Sequence, residues 1–250
     1  MLLEGKVALV TGAGQGVGQG IALALAAEGA KVAVTGRTLE KLEASCEMIR
    51  QRGGVALPVQ CEVKSLESLT ACVEAVISEF QGLQILVNNA QEVPLGTLHE
   101  VTDEAFTAGF ESGPLATMRM MKLCYPHLKG DGCIINLASA AAKRWDMSGY
   151  GAYAATKEGI RSLTRAAACE WGDEGIRTNV IMPHATSPGL KWWVENRPEE
   201  AAEFIASIPQ KRIGDCEQDI GRFVALLCSE GSAYVNGQTI ALDGGQALLG

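Results

Sequence analysis

A glycine-rich stretch near the start of this 250-residue chain constrains its fold more than any other feature. Residues 11–18 read TGAGQGVG, directly after the apolar run 7–10 and before an Ala/Leu-rich helical pattern over 21–27. Glycine adopts the backbone angles of a tight turn and has no Cβ to obstruct a phosphate. The helix that follows presents unpaired N–H groups and a partial positive charge at its start. This order of strand, glycine loop and helix predicts a dinucleotide-binding unit.

Apolar runs alternate with segments of helical spacing along the rest of the chain. After the first strand, the predicted strands cover 31–35, 55–61, 83–87, 133–137, 177–182 and 239–242. Such alternation is typical of βαβ units with a parallel sheet between helices. With right-handed crossovers it predicts one α/β domain over residues 1–250, a doubly wound, Rossmann-type sheet of about seven strands. A helical stretch over 102–128 is interrupted at Gly113-Pro114.

Composition argues against several classes of protein. The net charge is −8 and there is no basic run, so nucleic acid is not an expected partner. No apolar stretch has the ~18–20 residues of a membrane span, and the N-terminus runs into the first strand without a signal-peptide pattern. Eight cysteines occur singly, which predicts reduced thiols in a cytoplasmic protein. Three isolated histidines predict no metal site.

The end of the second predicted strand bears on the choice of nucleotide. Dinucleotide folds usually place an acid about 20 residues after the glycines, where it binds the ribose 2′-hydroxyl. Here Gly36 takes that place and Arg37 follows it. Without the acid, an arginine can pair with a 2′-phosphate, which favours NADP(H) over NAD(H). The alternative is a solvated surface arginine.

Tyr153 and Lys157 form an i, i+4 pair on a helical stretch over 150–171. A free tyrosine has a pKa near ~10, and a nearby cation lowers that value toward neutrality. Ser139 ends the fifth predicted strand, where its hydroxyl can bind the same substrate oxygen. A tyrosine and a lysine at this spacing also occur by chance on helices. The combination with Ser139 is what indicates general acid–base catalysis.

Taken together, these segments resemble the short-chain dehydrogenase/reductase family. The segments that carry the resemblance, in the family's order, are TGAGQGVG, the NNA at 88–90, Ser139, Y-x-x-x-K at 153–157, the RTNV at 177–180 before Pro183, and the stretch 235–245. The resemblance implies a single domain, usually homotetrameric, that moves a hydride between NAD(P) and a carbonyl or secondary alcohol.

The same resemblance implies roles for individual residues. Tyr153 takes the place of the acid–base catalyst, Ser139 orients the carbonyl, and Lys157 binds the ribose and activates the tyrosine. The implied cofactor contacts are Gly12, Gly14, Gln15, Gly16, Val17, Gly18, Arg37, Glu62, Val63, Asn88, Ala90, Tyr153, Lys157, Pro183 and Thr186.

The sequence departs from the family pattern at several positions. Gln91 and His184 each replace a glycine, and Glu62 replaces an aspartate. Ser139 lies one residue further from the tyrosine than is usual, so the loop 140–149 carries an insertion. Gly113 stands at the asparagine of the family's catalytic tetrad. These changes leave fold and cofactor binding as expected and bear on substrate and turnover.

Gly113-Pro114 offers another way to distort the helix where the family has that asparagine. Proline cannot donate a backbone hydrogen bond, and its ring opens the preceding turn. We expect the distortion to persist, with a main-chain carbonyl near 109–113 supporting a water close to Lys157. An ordinary helix break without a catalytic role is the alternative.

The segment 185–215 has no simple period and is expected to form a lid over the site. Trp192, Trp193 and Phe204 in it, with Trp145 and Met147 in the insertion loop, favour a bulky apolar ketone of steroid-like, terpenoid or aromatic type. The same aromatics would also suit a subunit interface. A 3-oxoacyl-thioester reductase and a nucleotide-binding, non-catalytic sensor or scaffold are the rival functions.

Overall fold

The computed structural model describes residues 1–143 and 149–247, and its strands form one seven-stranded parallel sheet. The strands are β1 (Val7–Thr11), β2 (Lys31–Gly36), β3 (Val55–Gln60), β4 (Ile85–Asn88), β5 (Gly132–Leu137), β6 (Ile176–Pro183) and β7 (Thr239–Leu242). Their order across the sheet is β3-β2-β1-β4-β5-β6-β7. The order reverses between β1 and β4, which places a ligand crevice at the carboxyl ends of these strands. The predicted doubly wound fold is confirmed.

The helices lie on both faces of this sheet. Those in the described residues are α1 (Gly16–Ala27), α2 (Leu39–Gln51), α3 (Leu66–Phe80), α4 (Asp103–Phe110), α5 (Ala116–Leu128), α6 (Gly151–Glu170), α7 (Pro188–Asn196), α8 (Pro198–Ser207) and α9 (Arg222–Leu227). Alternate residues of β1 face opposite cores, because side chains alternate along a strand. Ala8 and Val10 pack with α1, α2 and α9, whereas Val7 and Leu9 pack with α3 and α5.

Two segments contain wider, π-helical turns. The predicted interruption of 102–128 is confirmed as such a turn, Glu111–Leu115, between α4 and α5. The second turn, Cys216–Gly221, begins the last helical segment of the chain. There α1 approaches so closely that a Cβ at Gly20 would lie 2.3 Å from the carbonyl carbon of Cys216. Only glycine at position 20 allows this contact.

A chain of buried polar side chains crosses the core from β4 to α6. Asn88 donates to the Asn136 amide oxygen over 2.9 Å, and Asn136 donates to the Thr164 hydroxyl over 2.9 Å. Thr164 in turn donates to the carbonyl oxygen of Ile160 over 2.8 Å. Since each of these amides has a hydrogen-bond partner, they are tolerated within an apolar core.

The segment 185–215, where the sequence has no clear period, contains the two helices α7 and α8. Trp145 and Met147 lie outside the described residues. None of the described helices is both long and apolar enough to cross a membrane. Within residues 1–143 and 149–247, no cluster of His, Cys, Asp and Glu is placed to hold a metal ion.

Candidate active site

The glycine loop between β1 and α1 has the shape that a dinucleotide requires. Gly12 and Gly16 have φ angles of +66° and +60°, which favour glycine. A Cβ at Gly18 would lie 2.5 Å from the carbonyl oxygen of Gly12. The Asn89 side chain braces the loop by donating to the carbonyl oxygens of Thr11 and Gly12, over 2.9 and 3.1 Å. Asn89, directly after β4, therefore fixes the conformation at the start of the glycine loop.

The start of α1 is available to an anion. Gln15 precedes the helix and makes no side-chain hydrogen bond to it, and no residue in the first turn of Gly16–Ala27 is acidic. The N–H groups of this turn therefore fit a pyrophosphate. Pro188, at the start of α7, lies over the loop, since a Cβ at Gly16 would be 3.2 Å from its Cδ. These features fit a nicotinamide dinucleotide.

Arg37 lies at the carboxyl end of β2 with 66% of its side chain exposed. Its guanidinium is 3.6 Å from a carboxylate oxygen of Glu92 and 3.9 Å from one of Glu62. Lys41 in α2 donates to the Gln15 amide oxygen over 2.8 Å. Two cations therefore follow Gly36, the position of the acid in other dinucleotide folds, and one of them contacts the glycine loop.

The other residues of the predicted cofactor set differ in how they face the crevice. Asn88 directs its side chain into the buried amide network, so only its backbone remains for a ligand. Val63 packs against the apolar core. The Ala90 N–H donates to the Thr11 hydroxyl over 3.1 Å, which supports the glycine loop. Thr186 donates its N–H to the carbonyl oxygen of Gly214 over 2.9 Å.

The remaining members of the set lie along the crevice edge. Gly14 packs against α2, since a Cβ there would be 3.0 Å from the Cβ of Lys41. Val17 packs partly on the core, and Pro183 ends β6. The Glu62 carboxylate accepts a hydrogen bond from the N–H of Lys64 over 3.1 Å.

The three predicted catalytic residues meet at the carboxyl edge of the sheet. Ser139 follows β5 and forms a hydrogen bond with the Tyr153 hydroxyl. Lys157 lies one helical turn after Tyr153 in α6, and its Nζ is 5.3 Å from the centre of the Tyr153 ring. Only 3% of Lys157 is exposed, and its Nζ donates to the Leu137 carbonyl oxygen over 2.7 Å.

The acid–base properties of this pair differ from the sequence prediction. Desolvation raises the pKa of Tyr153 to about 12, although the Ser139 hydrogen bond acts to lower it. Desolvation also lowers the pKa of Lys157 to about 7. The expected fall in the tyrosine pKa is therefore wrong for the protein without cofactor. Burial disfavours the charged form of each group and is the largest cause of both shifts.

The π-helical turn Glu111–Leu115 lies beside the catalytic helix. The Ser112 hydroxyl donates to the carbonyl oxygen of Ala108 over 2.7 Å and accepts the N–H of Glu92 over 3.0 Å. The turn packs against α6, since a Cβ at Gly159 would lie 3.1 Å from Cγ of Pro114. The predicted distortion near Gly113 is thus present. A water held by its carbonyls stays a prediction.

Aromatic side chains from the segment 185–215 cluster near the end of β6. The Phe204 ring lies 5.3 Å from the His184 ring and 5.5 Å from the Trp193 ring, edge to face in both cases. The neighbouring Trp192 is 62% exposed. Leu98 is 80% exposed and adjoins the first residue of α6, since a Cβ at Gly151 would be 3.3 Å from it. Exposed apolar side chains therefore lie both in the segment 185–215 and beside the start of α6.

Comparison with known proteins identifies the family. A family model described as enoyl-(acyl carrier protein) reductase matches residues 12–247. The chain is 40% identical to a 12alpha-hydroxysteroid dehydrogenase of Clostridium sp., covering 98% of this chain and 97% of that protein. It is 33% identical to the short chain dehydrogenase mdpC of Emericella nidulans, covering 98% and 96%. The chain belongs to the short-chain dehydrogenase/reductase family.

A solved structure agrees with this assignment. A 7 alpha-hydroxysteroid dehydrogenase in complex with NADH and 7-oxo glycochenodeoxycholic acid superposes with a TM-score of 0.92 and 30% identity. The alignment covers 98% of this chain and 95% of that one. This short-chain dehydrogenase/reductase is therefore an NAD(P)-dependent oxidoreductase.

Sequence analysis of this short-chain dehydrogenase/reductase missed three side chains that the structure brings to the crevice. Asn89 lies within the quoted NNA motif and was the one member without an assigned role. Lys41 lies in the first turn of α2, four residues after Arg37, so its closeness in the chain was the available signal. The amide of Gln91 packs against Gly113, and no local pattern indicates a contact between residues so far apart.

Proposed function

We propose that this short-chain dehydrogenase/reductase interconverts a ketone and a secondary alcohol on a steroid-like substrate, with NADP(H) preferred. The observation that carries the proposal is the hydrogen-bonded pair of Ser139 and Tyr153 beside Lys157. This group lies at the crevice where the glycine loop fits a dinucleotide. The segment 185–215 is proposed to act as the lid over it.

The chain's own residues supply the proton chemistry. A bound nicotinamide dinucleotide supplies the hydride in reduction and accepts it in oxidation. Burial raises the pKa of the Tyr153 hydroxyl to about 12, which by itself makes it a weaker acid than a free tyrosine. The hydroxyl is protonated at neutral pH, and we propose that it donates this proton to the carbonyl oxygen. Ser139 orients that oxygen by hydrogen bonding. Lys157, with a pKa lowered to about 7, can return a proton to the tyrosine.

The apolar cleft supports a steroid-like substrate over smaller ketones. The exposed faces of Leu98 and Trp192, with the Trp193–Phe204 pair, provide extended hydrophobic surface. Two similar proteins are hydroxysteroid dehydrogenases by name, one at 40% and one at 30% identity. Terpenoid and aromatic ketones also fit an apolar cleft, and a hydroxynaphthalene reductase of Aspergillus fumigatus is 33% identical to the chain. The higher identity to the 12alpha-hydroxysteroid dehydrogenase favours the steroid-like substrate.

The test is a substrate screen with purified enzyme. Oxo-steroids, a terpenoid ketone, an aromatic ketone and a 3-oxoacyl thioester are each offered with reduced cofactor, and loss of its absorbance is followed. We expect the highest kcat/KM with an oxo-steroid. Turnover of the thioester alone would replace the proposal with the 3-oxoacyl-thioester reductase, and no turnover of any compound would favour a nucleotide-binding sensor or scaffold.

Replacement of the acid provides the chemical control. Tyr153→Phe keeps the ring and removes the proton, so turnover should fall by about 10²–10⁴-fold while cofactor still binds. Tyr125→Phe removes a hydroxyl that bonds to Glu174, away from the cleft, and should retain activity. A Tyr153→Phe enzyme with nearly full activity would refute the assignment of Tyr153.

The NADP(H) preference follows from charge at the end of β2. Gly36 presents no carboxylate, and two cations follow it, Arg37 at the end of β2 and Lys41 against the glycine loop. Fluorescence titration should give tighter binding of NADPH than of NADH. Arg37→Ala should weaken NADPH binding and leave NADH nearly unchanged, and Arg52→Ala is the matched control at the other end of α2. Tighter binding of NADH by the parent enzyme would refute the preference.

We also propose a cytoplasmic homotetramer, on the family resemblance and on the cysteines. All eight cysteines are free thiols, and six are buried in the core. Light scattering during gel filtration should give four times the mass of the 26.4 kDa chain. A monomeric mass would refute the tetramer.

A further inference from the structure

Gln91 lies three residues after β4 and extends its side chain over the π-helical turn. A Cβ at Gly113 would lie 2.8 Å from Nε2 of Gln91 and 2.9 Å from its Cδ. These distances are shorter than a Cβ tolerates, so a side chain at position 113 would displace the amide end of Gln91. The amide of Gln91 therefore fills the space beside Gly113 that is free because glycine has no side chain.

The hydrogen bonds of Thr156 fix the orientation of this amide. The Thr156 hydroxyl donates its single proton to the carbonyl oxygen of Tyr153 over 2.7 Å. It must therefore accept a proton from Gln91, whose Nε2 lies 2.5 Å away. A polar chain thus runs from the end of β4 through Thr156 to the turn of α6 that carries both Tyr153 and Lys157.

The oxygen of the Gln91 amide, unlike its nitrogen, lacks a hydrogen-bond partner among the described residues. Oε1 of Gln91 is buried, and none of the described residues donates a hydrogen bond to it. A buried acceptor without a donor is a cost to the folded state. Leucine or methionine would fill the same space without this cost. Packing alone therefore does not explain an amide here, and the bond from Nε2 to Thr156 is the interaction that leucine could not make.

The surroundings make the contact rigid. The residue after Gln91 is tied to the π-helical turn by the bond from the Glu92 N–H to the Ser112 hydroxyl, and α4 touches Thr156, since a Cβ at Gly109 would be 3.4 Å from its Cγ2. Strand end, turn and catalytic helix meet at this one place. A small movement of the Gln91 amide would be passed to the Thr156 hydroxyl.

We propose that Gln91 is a positioning residue that acts through Thr156 to hold the turn of α6 bearing Tyr153 and Lys157, and that Gly113 leaves the amide in the place where it reaches Thr156. The inference rests on the proposed function, in which Tyr153 is the proton donor. In this proposal the side-chain amide comes from Gln91, after β4, because position 113 is a glycine and has no side chain.

The test is a double-mutant cycle of Gln91→Ala and Gly113→Asn. Gln91→Ala removes the bond to Thr156, so kcat should fall about 3–10-fold with little change in KM. Gly113→Asn alone displaces the Gln91 amide and should cause a similar loss. In the double variant, the introduced asparagine amide enters the space that truncation of Gln91 leaves, and kcat should recover to within about threefold of the parent.

Two measurements separate positioning from a general loss of structure. The Cζ resonance of Tyr153, in enzyme with isotope-labelled tyrosine and assigned with Tyr153→Phe, should move in each single variant and return in the double variant. Melting temperature and cofactor affinity should stay near the parent values throughout. The resonance reports on Tyr153 even if no tested ketone is turned over.

The proposal is overturned by either of two results. One is a Gln91→Ala enzyme with parental kcat and an unmoved Tyr153 resonance. The other is a double variant whose loss is the product of the two single losses. If Tyr153→Phe remained active while the cycle behaved as expected, the proposed function would fail and the positional coupling would stand.

Discussion

Lys157 should destabilise the enzyme when no cofactor is bound, and its removal should therefore stabilise the fold. Its amine is buried within the core of the cleft, and burial lowers its pKa to about 7. Lys157→Met keeps the length of the side chain and removes the charge. The variant should lose catalysis and gain stability, in the opposite sense to most substitutions of buried residues.

The size of the effect follows from the two pKa values. An ordinary lysine titrates at 10.5, and the fall to about 7 corresponds to ~5 kcal/mol at ~1.36 kcal/mol per pH unit. This is an upper limit. The variant also loses the hydrogen bond from Nζ to the Leu137 carbonyl oxygen, a contribution of ~0.5–1.5 kcal/mol or somewhat more for a charged donor. We expect a net gain of ~3 kcal/mol near pH 6.

The pH dependence gives the prediction its sign. Below pH 7 the lysine is protonated in both the folded and the unfolded chain, so the full cost of burying the charge is present. Between pH 7 and 10.5 the unfolded chain binds more protons than the folded one, and the stability of the parent rises with pH. The advantage of Lys157→Met should therefore shrink by up to ~1.36 kcal/mol per pH unit across this window.

Urea unfolding of the cofactor-free proteins, at one protein concentration and at several pH values from about 6 to about 9.5, measures this difference. Lys122→Met, which removes an exposed amine from α5, is the matched control. An advantage of Lys157→Met that stays constant with pH would refute the reasoning. So would a variant less stable than the parent at the acidic end of this range.

Two further predictions concern the glycine loop and the packing of α1. Asn89→Ala removes both side-chain hydrogen bonds that brace the glycine loop. Calorimetric titration should therefore give about 10-fold weaker cofactor binding, with little change in melting temperature. An unchanged cofactor affinity would contradict this role. Gly20→Ala places a Cβ against the backbone of Cys216 and should lower stability by ~1–3 kcal/mol or more in urea unfolding. Gly189→Ala, where no atom lies within 4 Å, is its control, and equal stability of the two variants would contradict the packing argument.

Local patterns in the sequence were sufficient for the fold. Buried parallel strands appear as short apolar runs, and glycine loops and helical spacing separate them, so element order and sheet type follow directly. The break at Gly113-Pro114 was also predictable, because proline removes one specific backbone donor. The helices α7 and α8 were missed because they are mostly exposed, with Ala201 as the one fully buried residue between their ends.

The site was predictable only in part. The spacing of Tyr153 and Lys157 places both on one helix face, but their pKa values depend on burial, which spacing does not report. The contact between Gln91 and Gly113 joins the segment after β4 to the π-helical turn, and local sequence patterns do not report such a contact. A departure from the family pattern at each position was visible in the sequence. That one departure makes room for the other became visible only in three dimensions.

The two buried asparagines of the sheet have a consequence for how the strands align during folding. Most side chains of β4 and β5 are interchangeable aliphatic groups, which pack almost equally well if one strand slips along the other. Asn88 and Asn136 are direct partners in the register, and a slip of one residue would break the hydrogen bond between their amides inside an apolar core. The asparagine pair therefore specifies the register of β4 and β5 and destabilises sheets in which these strands are shifted. Through that alignment, the segments beginning at Asn89 and Ala138 leave the sheet at the same level and meet α6 together.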